Sequence, residues 1–126
     1  MHHSAFPRQG AGYTAEVHRN LQAAPTYRPE LDLVVIAPDG RFVAFCLAWL
    51  DKVNHSANLE PLGTHPDFRR RGLARALLGE AMRRVRDLGG EMVYLGAGDG
   101  PEKGLCDALG FEASARECFW YKQFSE

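Results

Sequence analysis

The sequence predicts an α/β (α+β) fold with a mixed sheet, and three observations support this prediction. Two apolar runs, Leu31–Ala37 and Phe42–Leu50, flank Pro38-Asp39-Gly40, which is typical of a hairpin turn because Pro presets φ and Gly supplies positive φ. Apolar residues recur at helical spacing through Gly72–Leu88. A short apolar run, Met92–Leu95, follows that helix, so strands and helices alternate along the chain.

The other predicted elements follow the same two periodicities. A chain of 126 residues fits one domain, which we assign to residues 12–126 after a loose N-terminal arm at residues 1–11. In chain order, the remaining elements are a helix over Gly12–Ala24, a loop over Asp51–Ala57, a strand over Leu59–Thr64, a short helix over Pro101–Leu109, and closing strands over Phe111–Ala113 and Cys118–Phe124.

The composition argues against several classes of function. Hydrophobic residues make up 45% and charged residues 25% of the chain, as in ordinary globular proteins. The net charge of −1 gives no global attraction to nucleic acid or to a membrane surface, and no apolar run reaches the roughly 20 residues that span a bilayer. Cys46, Cys106 and Cys118 form no CxxC pair, so we expect no metal site and a reducing, cytoplasmic setting.

The charge is unevenly distributed, and the most informative segment is Leu59–Ala74. Here a predicted strand runs into a basic turn, Arg69, Arg70 and Arg71, that opens the long helix. The first N–H groups of a helix lack partners within it, and the helix dipole adds positive potential, so this turn is a candidate anion site. Gly72 lets an anion approach the backbone closely. The alternative is a solvated basic turn at the start of an amphipathic helix.

Neither a GxxxxGK[ST] phosphate loop nor a GxGxxG dinucleotide motif is present. Instead, Arg69-Arg70-Arg71-Gly72-Leu73-Ala74 has the form (Gln/Arg)-x-x-Gly-x-(Gly/Ala), and Ala108-Leu109-Gly110-Phe111 follows downstream. Together with the strand and turn before them, these motifs resemble the GNAT superfamily of acetyl-CoA-dependent N-acyltransferases, over roughly Leu31–Phe124. The resemblance implies a mixed, mostly antiparallel sheet flanked by helices. The domain is expected to be N-terminally shortened, because in the family a further strand and helix precede the first predicted helix.

The resemblance implies acetyl-CoA as cosubstrate, held mostly by main-chain groups. Backbone N–H groups of the signature would bind the pyrophosphate, and the preceding strand would pair with the pantetheine chain as with an added β-strand. One strand N–H would stabilise the oxyanion that forms when an amine attacks the thioester. The implied cofactor-binding residues are Leu62, Gly63, Thr64, Arg69, Arg70, Arg71, Gly72, Leu73, Ala74 and Arg75.

Two side chains are candidates for proton transfer. Glu60 lies on the strand beside the expected acetyl group, where a carboxylate can take a proton from an ammonium substrate; the alternative is a surface Glu. Cys106 stands where the family usually has a Tyr that protonates the leaving thiolate, and it is either a proton donor or inert packing. Asp99 stands where the family often has a CoA-contacting Asn, and its charge would disfavour phosphates.

Loop polarity gives a weaker signal. Asp51, His55 and Asn58 lie in the loop that would face a substrate, although solvation explains their polarity equally well. His65 is assigned to the turn near the phosphates, as a turn residue.

Two functions therefore remain open. The first is an N-acetyltransferase that moves an acetyl group from acetyl-CoA to a primary amine of a small molecule or peptide by direct attack. The alternative is a non-catalytic or weakly active acyl-CoA-binding module, a sensor or partner subunit. Nucleic-acid binding is disfavoured because no aromatic residues interleave with the arginines to stack bases. Because exposed sheet edges invite pairing, we expect either a homodimer that covers the missing N-terminal edge or a chain that evolved from one half of a larger acyltransferase.

Overall fold

The computed structural model describes residues 15–97, 101–115, 118 and 120–124. The chain forms two compact units, residues 1–96 and residues 97–126. The N-terminal arm assigned to residues 1–11 lies outside the described residues, as does the start of the first predicted helix.

Within its described residues, 15–96, the first unit contains a four-stranded sheet and two α-helices. The strands lie in the order β1-β2-β3-β4; β1 pairs with β2 and β2 with β3 in antiparallel fashion, whereas β3 pairs with β4 in parallel. This arrangement confirms the predicted mixed, mostly antiparallel sheet flanked by helices. The elements are α1 (Ala15–Gln22), β1 (Asp32–Ile36), β2 (Phe42–Asp51), β3 (Ser56–Thr64), α2 (Leu73–Asp87) and β4 (Met92–Tyr94), with short 3-10 turns at Pro29–Leu31 and Pro66–Phe68.

The turn that joins β1 to β2 forms as its residues dictate. The Gly40 N–H donates to the Ala37 carbonyl at 2.9 Å, and the Ala37 N–H donates to the Arg41 carbonyl at 2.8 Å. Gly40 has φ of 87°, a left-handed conformation that glycine adopts without steric cost. The Asp39 carboxylate accepts from both the backbone N–H and the guanidinium of Arg41, which ties the turn to the start of β2.

The core lies between α2 and the sheet. Strand β2 is its centre, since every residue from 43 to 48 is buried. Helix α2 contributes residues spaced three and four apart, so a single apolar face packs on the sheet. The buried residues of that face are Leu77, Leu78, Ala81 and Val85.

The second unit contains α3 (Pro101–Ala108). This helix ends at Ala108, one residue before the predicted end at Leu109. Gly110 follows with φ of 81°, and the Phe111 N–H donates back to the Cys106 carbonyl at 3.0 Å. The prediction of a strand over Phe111–Ala113 is wrong, because the first of these amides closes the helix instead of joining a ladder.

The second closing strand, predicted over Cys118–Phe124, is also wrong for its described residues, 118 and 120–124. Its apolar side chains suggested a buried strand, but Trp120 is 93% exposed, and Tyr121 and Phe124 are similarly exposed. A strand needs both a partner ladder and a buried face, and these residues show neither.

Two further boundaries differ from the sequence prediction. Ser56 and Ala57, assigned to a loop, belong to β3, because they pair with β2 on one side and with β4 on the other. The first helix is described from Ala15 to Gln22, shorter at its C-terminal end than expected. Among the described residues, no helix is long and apolar enough to cross a membrane.

Two glycines at α2 provide a test of this packing. Gly79 lies in the helix interior, where a Cβ would meet no atom within 4 Å, whereas a Cβ on Gly90 would clash with the Val85 side chain and backbone. We expect Gly79→Ala to raise the free energy of unfolding by about 0.5–1 kcal/mol through helix propensity. We expect Gly90→Ala to lower it by about 1–3 kcal/mol through overpacking. Urea denaturation measures both; a shift of equal sign in the two variants would contradict the described packing.

Candidate functional site

Strand β3 has a free edge where the site begins. Strand β4 pairs with β3 only at Ser56, Ala57 and Asn58, opposite Met92, Val93 and Tyr94. Residues 59–64 continue along β2, and no described strand pairs with them on the other side. The sheet therefore opens into a cleft along the C-terminal half of β3, and main-chain groups there are available to a ligand.

The hydrogen-bond phase of β3 determines which of its groups face this cleft. The His65 N–H donates to the Val43 carbonyl at 2.7 Å, so His65 and, two residues back, Gly63 direct their main-chain groups towards β2. Leu62 and Thr64 consequently direct theirs towards the cleft. The Thr64 carbonyl accepts from Arg69 Nε at 3.4 Å across that edge. Of the three residues predicted to hold pantetheine, Leu62 and Thr64 have main-chain groups that face the cleft, whereas Gly63 is buried against β2.

A bulge interrupts β3 at Glu60 and Pro61. Cys46 lies opposite Leu62 and Ala48 opposite Leu59, so two β3 residues face one β2 residue. The bulge is fixed by the Trp49 indole, whose Nε1 donates to the Glu60 carbonyl at 2.8 Å. The Glu60 side chain is exposed and accepts from the Asn58 amide at 3.4 Å.

The turn after β3 delivers the chain to the amino end of α2. The Phe68 N–H donates to the His65 carbonyl at 2.9 Å, and His65 Nδ1 accepts from the Asp67 N–H at 3.2 Å. His65 therefore acts as the cap of this turn, which agrees with its assignment as a turn residue. The backbone then takes positive φ at Arg70 (62°) and at Gly72 (76°). Turns of this kind direct successive N–H groups to one side and form anion-binding concavities.

Helix α2 begins without a capping side chain. Gly72 occupies the N-cap position and no side chain accepts from the first helical N–H groups. The first intrahelical bond runs from the Ala76 N–H to the Gly72 carbonyl at 3.0 Å, so the N–H groups of Leu73, Ala74 and Arg75 point out of the helix end. A Cβ at Gly72 would meet no protein atom within 4 Å, so the space before the helix is open.

The arginines of the signature differ in their contacts. The Arg71 guanidinium lies 5.0 Å from the centre of the Phe68 ring, and the Arg41 guanidinium lies 5.1 Å from the same centre. Arg69 contacts Thr64, as described above, and Arg70 is exposed. Sequence reasoning missed Arg41, because only the pairing of β2 with β3 brings the hairpin turn beside the basic turn.

A cavity of about 850 Å³ lies beside the N-terminal part of β3, before the bulge. Three aromatic residues that sequence reasoning had not singled out line it: Tyr27, Trp49 and Tyr94. Of the loop residues expected to face a substrate, Asp51 and Asn58 line the cavity and His55 does not. Trp49 and Asn58 also bond to Glu60, so the cavity wall is continuous with the bulge.

Asp51 serves mainly to shape the loop beside this cavity. One of its oxygens accepts from the Val53 and Asn54 N–H groups, and the other accepts from the Asn54 side chain at 2.7 Å. These hydrogen bonds lower the pKa of the Asp51 carboxyl.

The cysteines lie in different environments. Cys46 lies in the buried part of β2, and burial raises the pKa of its thiol to about 12. Cys106, on α3, is half-buried, and burial together with the neighbouring carboxylates of Asp107 and Glu102 raises its pKa. Cys118 is exposed. Asp99 lies outside the described residues, and among those that are described no group of His, Cys, Asp and Glu could hold a metal ion.

The described fold is similar to several solved acetyltransferase structures. The aminoglycoside N-acetyltransferase AAC(6')-Iy in complex with CoA aligns with a TM-score of 0.64 and 27% identity, over 87% of this chain and 85% of that one. The same enzyme with a bisubstrate analogue, CoA-S-monomethyl-acetylneamine, aligns with a TM-score of 0.68 and 24% identity, over 90% and 84% of the chains. The ribosomal-protein-S18-alanine N-acetyltransferase from Escherichia coli aligns with a TM-score of 0.68 and 23% identity, over 83% and 65%.

A search of curated proteins finds no match. The family comparison is specific: the model of the Acetyltransferase (GNAT) family matches residues 2–111, which include the open edge of β3, the bulge and the uncapped start of α2. With that match over most of its length and with the fold of known acetyltransferases, the chain belongs to the GNAT acetyltransferase family.

Proposed function

We propose that the protein is an N-acetyltransferase that moves an acetyl group from acetyl-CoA to a primary amine by direct attack. The proposal rests on two adjoining segments whose outward-facing main-chain groups lack main-chain partners among the described residues and could bind a ligand. The free edge of β3 runs, through one turn, into the uncapped amino end of α2. An extended chain ending in a diphosphate is the ligand that such a pair of segments matches.

Acetyl-CoA would lie along these two segments. Its diphosphate would accept hydrogen bonds from backbone N–H groups between Arg70 and Arg75, next to the guanidinium groups of the signature. Its pantetheine chain would pair with the cleft-facing main chain of Leu62 and Thr64. The CoA found in the solved structure of AAC(6')-Iy supports this cosubstrate.

The acetyl group would then lie at the bulge, between the cleft and the cavity. Glu60 would take a proton from the substrate ammonium, and the freed nitrogen lone pair would attack the thioester carbonyl carbon. The Leu62 N–H, on the cleft edge, would stabilise the oxyanion of the tetrahedral intermediate. The C–S bond would break as the carbonyl re-forms, and the amide nitrogen would release its second proton to solvent. The CoA thiolate would take up a proton, a role that the family resemblance assigns to Cys106, and solvent would then reprotonate the Cys106 thiolate.

The diphosphate site is tested by a charge introduced at Gly72. We expect Gly72→Glu to weaken CoA binding about 100-fold, because like charges about 4 Å apart near a protein surface repel by a few kcal/mol. Calorimetric titration with CoA measures the effect. Gly89→Glu is the matched control: Gly89 also has positive φ (96°) and open space around it, but it lies beyond the other end of α2. If the two variants bound CoA with equal affinity, the diphosphate could not bind at the start of α2.

The base role is tested by Glu60→Gln. We expect kcat to fall about 100-fold near neutral pH with CoA affinity unchanged, because the amide has no basic oxygen to accept the proton. Activity should recover as the pH approaches the pKa of the free amine, since solvent then deprotonates the substrate. Glu91→Gln, at another exposed glutamate, is the control. A pH–rate profile parallel to that of the unsubstituted protein would exclude Glu60 as the base.

The raised pKa of Cys106 bears on the choice between enzyme and binding module. A thiol that holds its proton at neutral pH is available to protonate a thiolate of similar basicity, but it is a weaker acid than an unperturbed thiol. We expect Cys106→Ala to lower kcat about tenfold while Cys118→Ala leaves it unchanged. Thiol release from acetyl-CoA with a panel of amines measures both. Stabilisation of the fold by acetyl-CoA without turnover of any amine would instead favour the acyl-CoA-binding module.

The remaining sequence-based expectations stay predictions. A homodimer is supported by the exposed apolar side chains of Val34, Ile36 and Phe42, which lie on β1, the edge strand of the described sheet, and at the start of β2. Cytoplasmic localisation and the absence of nucleic-acid and membrane partners rest on composition and charge alone.

A further inference from the structure

The cavity beside the bulge has an aromatic wall of fixed orientation. The rings of Tyr27 and Trp49 lie 6.4 Å apart in an edge-to-face arrangement with an interplanar angle of 66°. The Trp49 indole is held by its hydrogen bond to the Glu60 carbonyl, and the Tyr27 hydroxyl donates to the Asp32 carboxylate. Tyr94, 51% exposed, stands on β4 directly across from Asn58. A preformed wall of this kind favours a flat apolar group, since rings attract one another edge-to-face or offset.

The charges around the cavity nearly balance. The Arg28 guanidinium pairs with the Glu30 carboxylate at 3.0 Å, and Lys52 lies close enough to Glu30 to contribute to the lowering of its pKa. The Asp51 carboxylate is negative but already accepts three local hydrogen bonds. The two cations and two anions of this group therefore compensate each other.

Two further carboxylates among the described residues lie near this group. Asp32 accepts from the Tyr27 hydroxyl and lies 3.2 Å from the His18 ring, which leaves Glu60. Glu60, at the bulge, has the neutral Asn58 amide as its described hydrogen-bond partner, and Asn58 is itself part of the cavity wall. This one carboxylate, which has no ion pair with any described residue, matches one ammonium group. Aromatic rings also attract cations, but Arg28 and Lys52 on the same wall disfavour a substrate that carries further positive charge.

We propose that this cavity is the acceptor subsite and that it selects primary monoamines with a flat, apolar ring over polycationic amines. This inference names the substrate class of the proposed acetyl transfer. It rests on that proposed function, because only acetyl transfer would convert the bound amine into a product. The ring would pack against Tyr27, Trp49 and Tyr94, and the ammonium group would point along Asn58 towards Glu60. The volume of about 850 Å³ accommodates one or two rings and is within the range of small-molecule sites.

A comparison of three amines distinguishes recognition of an aromatic ring from effects of ligand size and ligand charge. The three amines are 2-phenylethylamine, its saturated analogue 2-cyclohexylethylamine, and spermidine. We expect 2-phenylethylamine to bind about tenfold more tightly than the saturated analogue, because only a flat π-system stacks on the aromatic wall, and spermidine to bind most weakly. Calorimetric titration, with and without saturating CoA, measures binding, and thiol release from acetyl-CoA measures turnover.

Two variants on β4 localise the effect. Tyr94→Ala should remove most of the preference for 2-phenylethylamine over 2-cyclohexylethylamine. Met92→Ala, at a residue of similar exposure (55%) on the same strand but outside the cavity, should retain it. Thermal unfolding of both variants checks that the strand is intact.

The outcomes distinguish this inference from the proposed function. Turnover without a preference among the three amines, a preference for spermidine, or a preference that survives Tyr94→Ala overturns the inference and leaves acetyl transfer standing. Selective binding of 2-phenylethylamine without acetylation supports the aromatic subsite and contradicts the transferase. Absence of binding by all three amines, with CoA present, overturns the inference as well.

Discussion

The site depends on one constraint, the early end of pairing between β3 and β4. Beyond Asn58 the two strands no longer share hydrogen bonds, and the main-chain groups of Leu62 and Thr64 are left facing a cleft. Backbone donors and acceptors must find partners in water or in a ligand. A sheet that stayed closed to the end of β3 would have no such edge, and the uncapped start of α2 would then be an isolated feature.

The bulge at Glu60 and Pro61 divides this edge into two chemical regions. On the α2 side lie main-chain donors and arginines, which suit an extended, phosphate-bearing ligand. On the other side lie the aromatic cavity and the exposed Glu60 carboxylate, which would suit the proposed amine. Trp49 connects them, since its indole lines the cavity while its N–H holds the bulge in place. Substitutions at Trp49 would therefore be expected to affect both regions together.

Local patterns predicted most of the first unit and the turn that leads into the uncapped start of α2. The hairpin, α2 and the signature turn depend on residues close in sequence, namely turn chemistry at Gly40, helical periodicity and Gly72. The cavity was not predicted, because Tyr27, Trp49 and Tyr94 belong to three separate elements that only the sheet brings together. The closing strands were wrong for a related reason: an apolar run such as Trp120–Phe124 indicates a strand only if a partner covers it.

A ligand bound at the uncapped start of α2 would link its own occupancy to the stability of the fold. A capping Ser or Asp at this position typically adds about 1 kcal/mol to a helix, and Gly72 forgoes that contribution while leaving the amides open. A ligand that binds only the folded form compensates by mass action, by about 2.7 kcal/mol at a hundred times its dissociation constant. The melting temperature of this protein would therefore rise with the concentration of CoA. Preparations that retain different amounts of CoA would unfold at different temperatures.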